Sequence, residues 1–126
     1  KLPHLDDWNQ QRRANAAHYG ELLSGLKEAV LPKVAEYAEH VYHLYVVRVP
    51  RRDQLREYLQ KQGVGTGIHY PIPCHLQPAF GSLGYHRGDL PVTERVANEI
   101  LSLPMYPELT AEQRNYVVDA ICDFYR

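Results

Sequence analysis

The run Val41-Tyr42-His43-Leu44-Tyr45-Val46-Val47-Arg48-Val49, closed by Pro50, constrains the fold more than any other stretch. β-Branched and aromatic side chains suit a pleated, packed surface, and they lose torsional freedom against the preceding turn of a helix. Apolar residues fall on both faces, so the run predicts a central strand covered on two sides. Such a strand needs neighbours to take its backbone hydrogen bonds and helices to cover it.

The remaining sequence is punctuated to supply both. Leu5, Trp8, Arg12, Ala16, Tyr19, Leu23 and Leu26 recur at helical steps. Asp6 or Asp7 is placed to cap that helix and Gly25 to end it, while Gly20 inside it costs about 1 kcal/mol against Ala. Residues 26–39, interrupted by Pro32, read as a connection with a helical turn. Asp53 is expected to cap a second helix with Leu55, Tyr58 and Leu59 on one face, closed by Gly63. Val64 to Tyr70 reads as a strand. Pro91 suits the first turn of a helix running to about Leu101, with Val92, Val96 and Ile100 inward. Leu103 to Tyr106 reads as a short edge strand between prolines. Thr110-Ala111-Glu112-Gln113 is a capping box for a last helix that buries Val117, Ala120, Ile121 and Phe124.

These elements predict one α/β domain, α+β in character, over 1–126. A first helix at 1–25 extends from a sheet-and-helix core at 40–126. Three strands near 41–49, 64–70 and 102–106 form a small mixed or antiparallel sheet. Helices near 53–62, 91–101 and 110–125 pack on it.

Composition then removes whole function classes. The chain has 126 residues, 44% of them hydrophobic, and a formal net charge of −1. A general binder of nucleic acid or of an anionic membrane needs a basic surplus that is missing here. No apolar stretch approaches the roughly 20 residues of a membrane span. Two cysteines, Cys74 and Cys122, make no disulfide framework and fit free thiols in a cytoplasmic setting. The chain begins at Lys1, and Met105 is its only methionine. The first residues lack the apolar core of a secretory signal, so the start reads as a fragment boundary.

Few residue groupings carry chemistry. Gly63-Val64-Gly65-Thr66-Gly67 has the glycines of a phosphate loop in the reverse context, between a helix and a strand. It reads instead as a helix cap and a close backbone approach. His40 and His43 would point to opposite faces of a strand and chelate poorly. His69, Cys74 and His75 are the set a loop could gather around a metal, but zinc-type spacing is missing and no metal is expected. Cys74 and His75 are adjacent, and neighbouring side chains diverge, so Cys74 reads as a structural thiol. The segment from Gly67 to His75 opens from a strand end into a proline-stiffened loop. His69, Tyr70 and His75 can there donate and accept hydrogen bonds. They suit an oxygen-rich or anionic small molecule; equally, His69 and Tyr70 could be satisfied core polars.

At this loop the sequence resembles a known family. Gly63-Val64-Gly65-Thr66-Gly67-Ile68-His69-Tyr70-Pro71-Ile72-Pro73-Cys74-His75-Leu76-Gln77-Pro78-Ala79-Phe80 is similar to a signature of the DegT-type (DegT/DnrJ) sugar aminotransferases. Leu5-Asp6-Asp7-Trp8-Asn9 through Arg12-Arg13 and Tyr19 resembles the helix leading into their small domain. Gly88-Asp89-Leu90-Pro91-Val92-Thr93-Glu94 and Leu101-Ser102-Leu103-Pro104-Met105-Tyr106-Pro107 resemble their later motifs. The four motifs keep their order across essentially all 126 residues.

The resemblance implies the C-terminal small domain of a fold-type I, pyridoxal-phosphate-dependent enzyme of the aspartate-aminotransferase fold. It implies a missing N-terminal large domain that supplies the Schiff-base lysine, since Lys1, Lys27, Lys33 and Lys61 sit in no such context. The cofactor therefore belongs to the parent enzyme, and none is expected on this chain alone. The parent's substrates would be glutamate, as amino donor, and a nucleotide-linked keto-deoxysugar. The loop sequence resembles members acting on 3-keto sugars carried by dTDP or UDP. His69 matches the histidine that reaches into the cleft, and Tyr70 and His75 follow it toward the sugar-nucleotide side. No catalytic residue is assigned, and Cys74 has no role. A homo-oligomer is expected too, because the apolar surface left without its large domain drives association. The alternative is a free-standing module that binds a sugar nucleotide or self-associates without catalysis.

Overall fold

A computed structural model describes all 126 residues, Lys1 to Arg126. Its centre is an antiparallel pair of short strands, β1 (Tyr45–Arg48) and β2 (Ile100–Leu103). Tyr45 pairs with Leu103 and Arg48 with Ile100. Each outer edge carries one isolated bridge, Val30 to Arg48 on the β1 side and Gly67 to Ser102 on the β2 side.

The expected strands change here. The strand near 64–70 contracts to the single bridge at Gly67, so the sheet has two strands rather than three. The 41–49 run pairs only from Tyr45, because Tyr42 turns the chain with a positive φ of 49°. Along β1 the burial alternates, with Tyr45 and Val47 buried and Val46 and Arg48 half-buried. The second face is thus covered only in part, and Arg48 uses that freedom to bind Glu99 through two nitrogens at 2.9 and 2.7 Å. β2 starts earlier than expected and stops at Leu103, since Pro104 has no N–H to continue a ladder.

The helices follow their end signals. Helix α1 (Leu5–Leu23) buries Ala16, Tyr19 and Leu23 along one stripe. A short 3-10 turn at Leu2–His4 leads into it, so His4 rather than an aspartate occupies the cap position. Helix α2 (Arg52–Lys61) starts from Arg51 in the left-handed region, and Asp53 lies in its first turn instead of capping it. It ends at Gly63, whose φ of 76° lets Gly63 N–H reach Gln60 O at 3.0 Å and Val64 N–H reach Leu59 O at 2.8 Å. Buried Val64 adds the apolar contact that completes this helix stop. Helix α3 (Pro91–Glu99) has Pro91 in its first turn, as its sequence suggests. Its inward residue is Ala97; Val92 is 63% exposed and Val96 half-buried. Helix α4 (Ala111–Tyr125) carries the capping box intact, with Gln113 N–H on the Thr110 hydroxyl and Thr110 N–H on the Gln113 side chain. Phe124 is only half-buried, and Arg51 lies over its ring at 4.7 Å.

One apolar core joins these pieces. Tyr19 and Leu23 of α1, Leu55 and Leu59 of α2, Leu101 of β2 and Ile121 of α4 are each at most 1% exposed. Polar side chains tie the frame at two places. Buried Arg52 donates from Nη1 to Ala97 O at 3.2 Å and Ile100 O at 2.9 Å, which satisfies the open carbonyls at the end of α3. Buried Arg114 and Asn15 pair between α4 and α1. Asn15 Nδ2 then donates to Tyr106 O at 2.9 Å, and Tyr19 donates to Pro104 O at 3.1 Å. Burial raises the Tyr19 hydroxyl well above the ordinary tyrosine range, so it stays a donor.

These burial differences are testable by urea unfolding. Leu101→Ala, at a fully buried position of β2, is expected to cost about 2–5 kcal/mol. Val92→Ala, on the exposed side of α3, is expected to stay within about 0.5 kcal/mol of the parent. A large loss at Val92 would contradict the observed rotation of α3.

Candidate functional site

The site-forming segment leaves the core at Gly67. Gly67 N–H donates to Ser102 O at 3.0 Å, and Ser102 N–H donates to Gly67 O at 2.8 Å. This pair of bonds anchors the chain to β2 two residues before His69. The His69 ring folds back over Gly67 and its Nδ1 lies 2.9 Å from the Ser102 hydroxyl. A Cβ on Gly67 would stand 2.6 Å from His69 Cε1, so only glycine leaves room for this ring position. His69 remains solvent-exposed as a residue, and its Nε2 has no protein partner. Tyr70 is 72% exposed, with its ring edge-on to His69 at 5.5 Å. His69 and Tyr70 are thus surface groups held in place, not satisfied core polars.

His75 behaves differently. It starts a buried polar post under the loop rather than lining an open face. The residue is 8% exposed, and its Nε2 lies 3.1 Å from Glu94 Oε1 in the first turn of α3. The same oxygen accepts Gly88 N–H at 2.8 Å. Tyr85 stands edge-on to His75 at 6.2 Å. Two 3-10 turns, Cys74–Leu76 and Pro78–Leu83, carry the chain between these anchors. The Gly88 N–H, His75 and the Leu90 N–H hold the Glu94 carboxyl below the usual carboxylate range, against the opposing effect of burial.

The remaining chemical candidates disperse. His69, Cys74 and His75 do not converge: one ring sits on Ser102, one on Glu94, and Cys74 is exposed. No group of three or more His, Cys, Asp or Glu side chains is placed to hold a metal ion. The largest groove, of about 620 Å³, lies elsewhere, between Gly63–Gly65 and the start of α4, with Tyr106, Leu109 and Tyr116 on its walls. His69 does not line it, and on its mainly apolar wall Glu112 is the one carboxylate. No helix is long and apolar enough to cross a membrane.

This geometry has relatives. The family model described as the DegT/DnrJ/EryC1/StrS aminotransferase family matches residues 1–122. The chain belongs to this family. It is 51% identical to a pleiotropic regulatory protein of Geobacillus stearothermophilus, over 100% of this chain and 34% of that one. It is 44% identical to a dTDP-3-amino-3,4,6-trideoxy-alpha-D-glucose transaminase of Streptomyces venezuelae, over 96% of this chain and 32% of the relative. Among solved structures, the S. venezuelae DesV complex with a ketimine intermediate superposes with a TM-score of 0.93 at 43% identity, covering 98% of this chain and 33% of DesV. The chain therefore spans about a third of the length of the relatives it matches.

Pyridoxal phosphate is the cofactor the DegT family implies, and the residues present do not fit a covalent site for it. Lys1, Lys27, Lys33 and Lys61 are all solvent-exposed. Lys61 borders only a shallow surface depression with Glu57 and Gln60 on α2. No lysine is therefore enclosed where a cofactor ring and its phosphate could be gripped.

Ser102 is the site residue that sequence reading passes over. Its signal is nonetheless local: a hydroxyl between Leu101 and Leu103, in a strand buried at all three positions, requires a partner.

The Glu94 post gives a signed pH prediction. A carboxyl held below its ordinary value of 4.5 stabilises the fold at and above that pH. That stability is lost as pH falls through the lowered folded-state value. The stability difference between the parent and Glu94→Gln, followed by thermal melts, should therefore be largest near neutrality and shrink in acid below pH about 4.5. A difference that grows in acid would contradict the post.

Proposed function

We propose that this chain forms one wall of the substrate site in a pyridoxal-phosphate-dependent nucleotide-sugar aminotransferase, and carries out no amino transfer by itself. The observation that carries the reading is His69, held on the sheet edge with Nε2 open to solvent, in a chain of aminotransferase family. The cofactor supplies the electron sink when bound in the parent enzyme, held by residues of a large domain outside this chain. Glutamate is the amino donor and a nucleotide-linked keto-deoxysugar the acceptor, in line with the dTDP-sugar transaminases among its relatives.

Within that enzyme His69 binds and orients. Its free ring nitrogen reaches a carboxylate of the donor or an oxygen of the sugar, and Tyr70 presents its ring and hydroxyl beside it. His75 acts one layer back: paired with Glu94, it fixes the loop that carries Tyr70. The exposed thiol of Cys74 has no part in this arrangement. The parent enzyme is placed in the cytoplasm, where its free cysteines stay reduced.

In the full-length enzyme, His69→Ala removes a hydrogen bond to a charged or polarised oxygen, a contact worth about 1.5–3 kcal/mol. Amino transfer to a dTDP-linked keto sugar should then fall roughly 10- to 100-fold in kcat/KM, with the folded state intact. An unchanged kcat/KM would remove His69 from the site.

A second reading, self-association, is favoured by one observation. Tyr70, Ile72, Leu83 and Val92 are each more than half exposed on the 70–92 segment. Exposed apolar side chains favour association where they cluster. Light scattering of the chain should then show a dimer or larger species, and a monomer over a wide concentration range would count against it.

A further inference from the structure

Ser102 is 4% exposed, and both its backbone groups are spent on Gly67. Its hydroxyl has one protein partner, His69 Nδ1 at 2.9 Å. Leu101 and Leu103 on either side offer nothing polar. The hydrogen bond can therefore run in two directions, and they are not equivalent. If Nδ1–H donated to the hydroxyl oxygen, the hydroxyl proton would be buried without an acceptor. A buried donor left unmade costs about 1–3 kcal/mol. If the hydroxyl donates to Nδ1, its proton is satisfied and the imidazole carries its own proton on Nε2.

We propose that Ser102 is a positioning residue that holds neutral His69 in the Nε2–H tautomer, so that His69 meets its ligand as a hydrogen-bond donor to an acceptor oxygen rather than as a base. This deepens the substrate-wall reading and rests on it. Gly67 belongs to the same device, since its bare α-carbon lets the ring lie within reach of the hydroxyl. The ligand class is an oxygen that accepts: a carboxylate, a phosphoryl oxygen or a sugar carbonyl. A group that needs its proton removed would find no free lone pair on this imidazole, because the hydroxyl occupies Nδ1 and the proton occupies Nε2.

The test is long-range proton–nitrogen NMR on the 126-residue chain, with histidines labelled and the pH alkaline enough to keep the rings neutral. The expected spectrum shows His69 with a protonated Nε2 and an Nδ1 resonance displaced by an accepted hydrogen bond. Ser102→Ala should shift the His69 ring nitrogens toward those of exposed His86. Ser102→Thr, which keeps the hydroxyl, should retain the parent pattern. Gly67→Ala should give the same shift as Ser102→Ala by pushing the ring away, which keeps the test alive if the Ser102→Ala chain does not fold. A protonated Nδ1 in the parent, or ring nitrogens unmoved in a folded Ser102→Ala or Gly67→Ala chain, would overturn the proposal. These spectra need no ligand, so their failure is separable from a failure of the His69→Ala rate loss, which concerns the substrate wall itself.

Discussion

The site depends on two backbone hydrogen bonds between Gly67 and Ser102. They are the whole of what remains of a third strand, yet they decide where the candidate loop begins. Because Gly67 is pinned to the edge of β2, His69 two residues later is carried by the sheet and not by the loop. The ring then returns over the glycine to the hydroxyl of the residue that pins it. One residue of β2 thus holds both the backbone entry to the loop and the side chain that the loop presents.

β2 can do this because its other neighbours are fixed. On one side it pairs with β1 in a register set by buried Tyr45, Val47, Leu101 and Leu103. A slip of one residue would turn Leu101 and Leu103 off the core and take Ser102 from beneath His69. At its start, Arg52 holds Ile100 O and closes the end of α3. After its end, Tyr19 and Asn15 of α1 take the carbonyls of Pro104 and Tyr106, with Arg114 of α4 behind Asn15. Helix α1 therefore does more than cover the sheet. It holds the segment leaving β2 through long-range polar contacts that no local pattern specifies.

That division explains what was legible in the sequence. Signals complete within one turn survive: the capping box at Thr110, Pro91 at the start of α3, and the Gly63 stop of α2. Signals that depend on partners do not. The 64–70 stretch has strand composition, but with a single bridged residue it remains a bridge. Val92 has helical spacing with Val96, yet tertiary packing turns Ala97 inward. The family resemblance and the motif order identified the loop and His69. They left His75 undivided from the exposed candidates His69 and Tyr70, because a buried partner such as Glu94 lies 19 residues away in sequence. Ser102 carried a readable clue, a lone hydroxyl in an apolar strand, but its partner depended on a bridge that the sequence does not announce.

Hydrogen exchange at the Gly67 amide tests most directly whether the sheet, and not the loop, carries His69. If it does, Gly67 N–H exchanges as slowly as the amides of the β1–β2 ladder, and far more slowly than those of Gly81 and Gly84. Exchange of Gly67 at the rate of Gly81 and Gly84 would mean that the anchor opens with the loop, and that His69 is not pre-positioned.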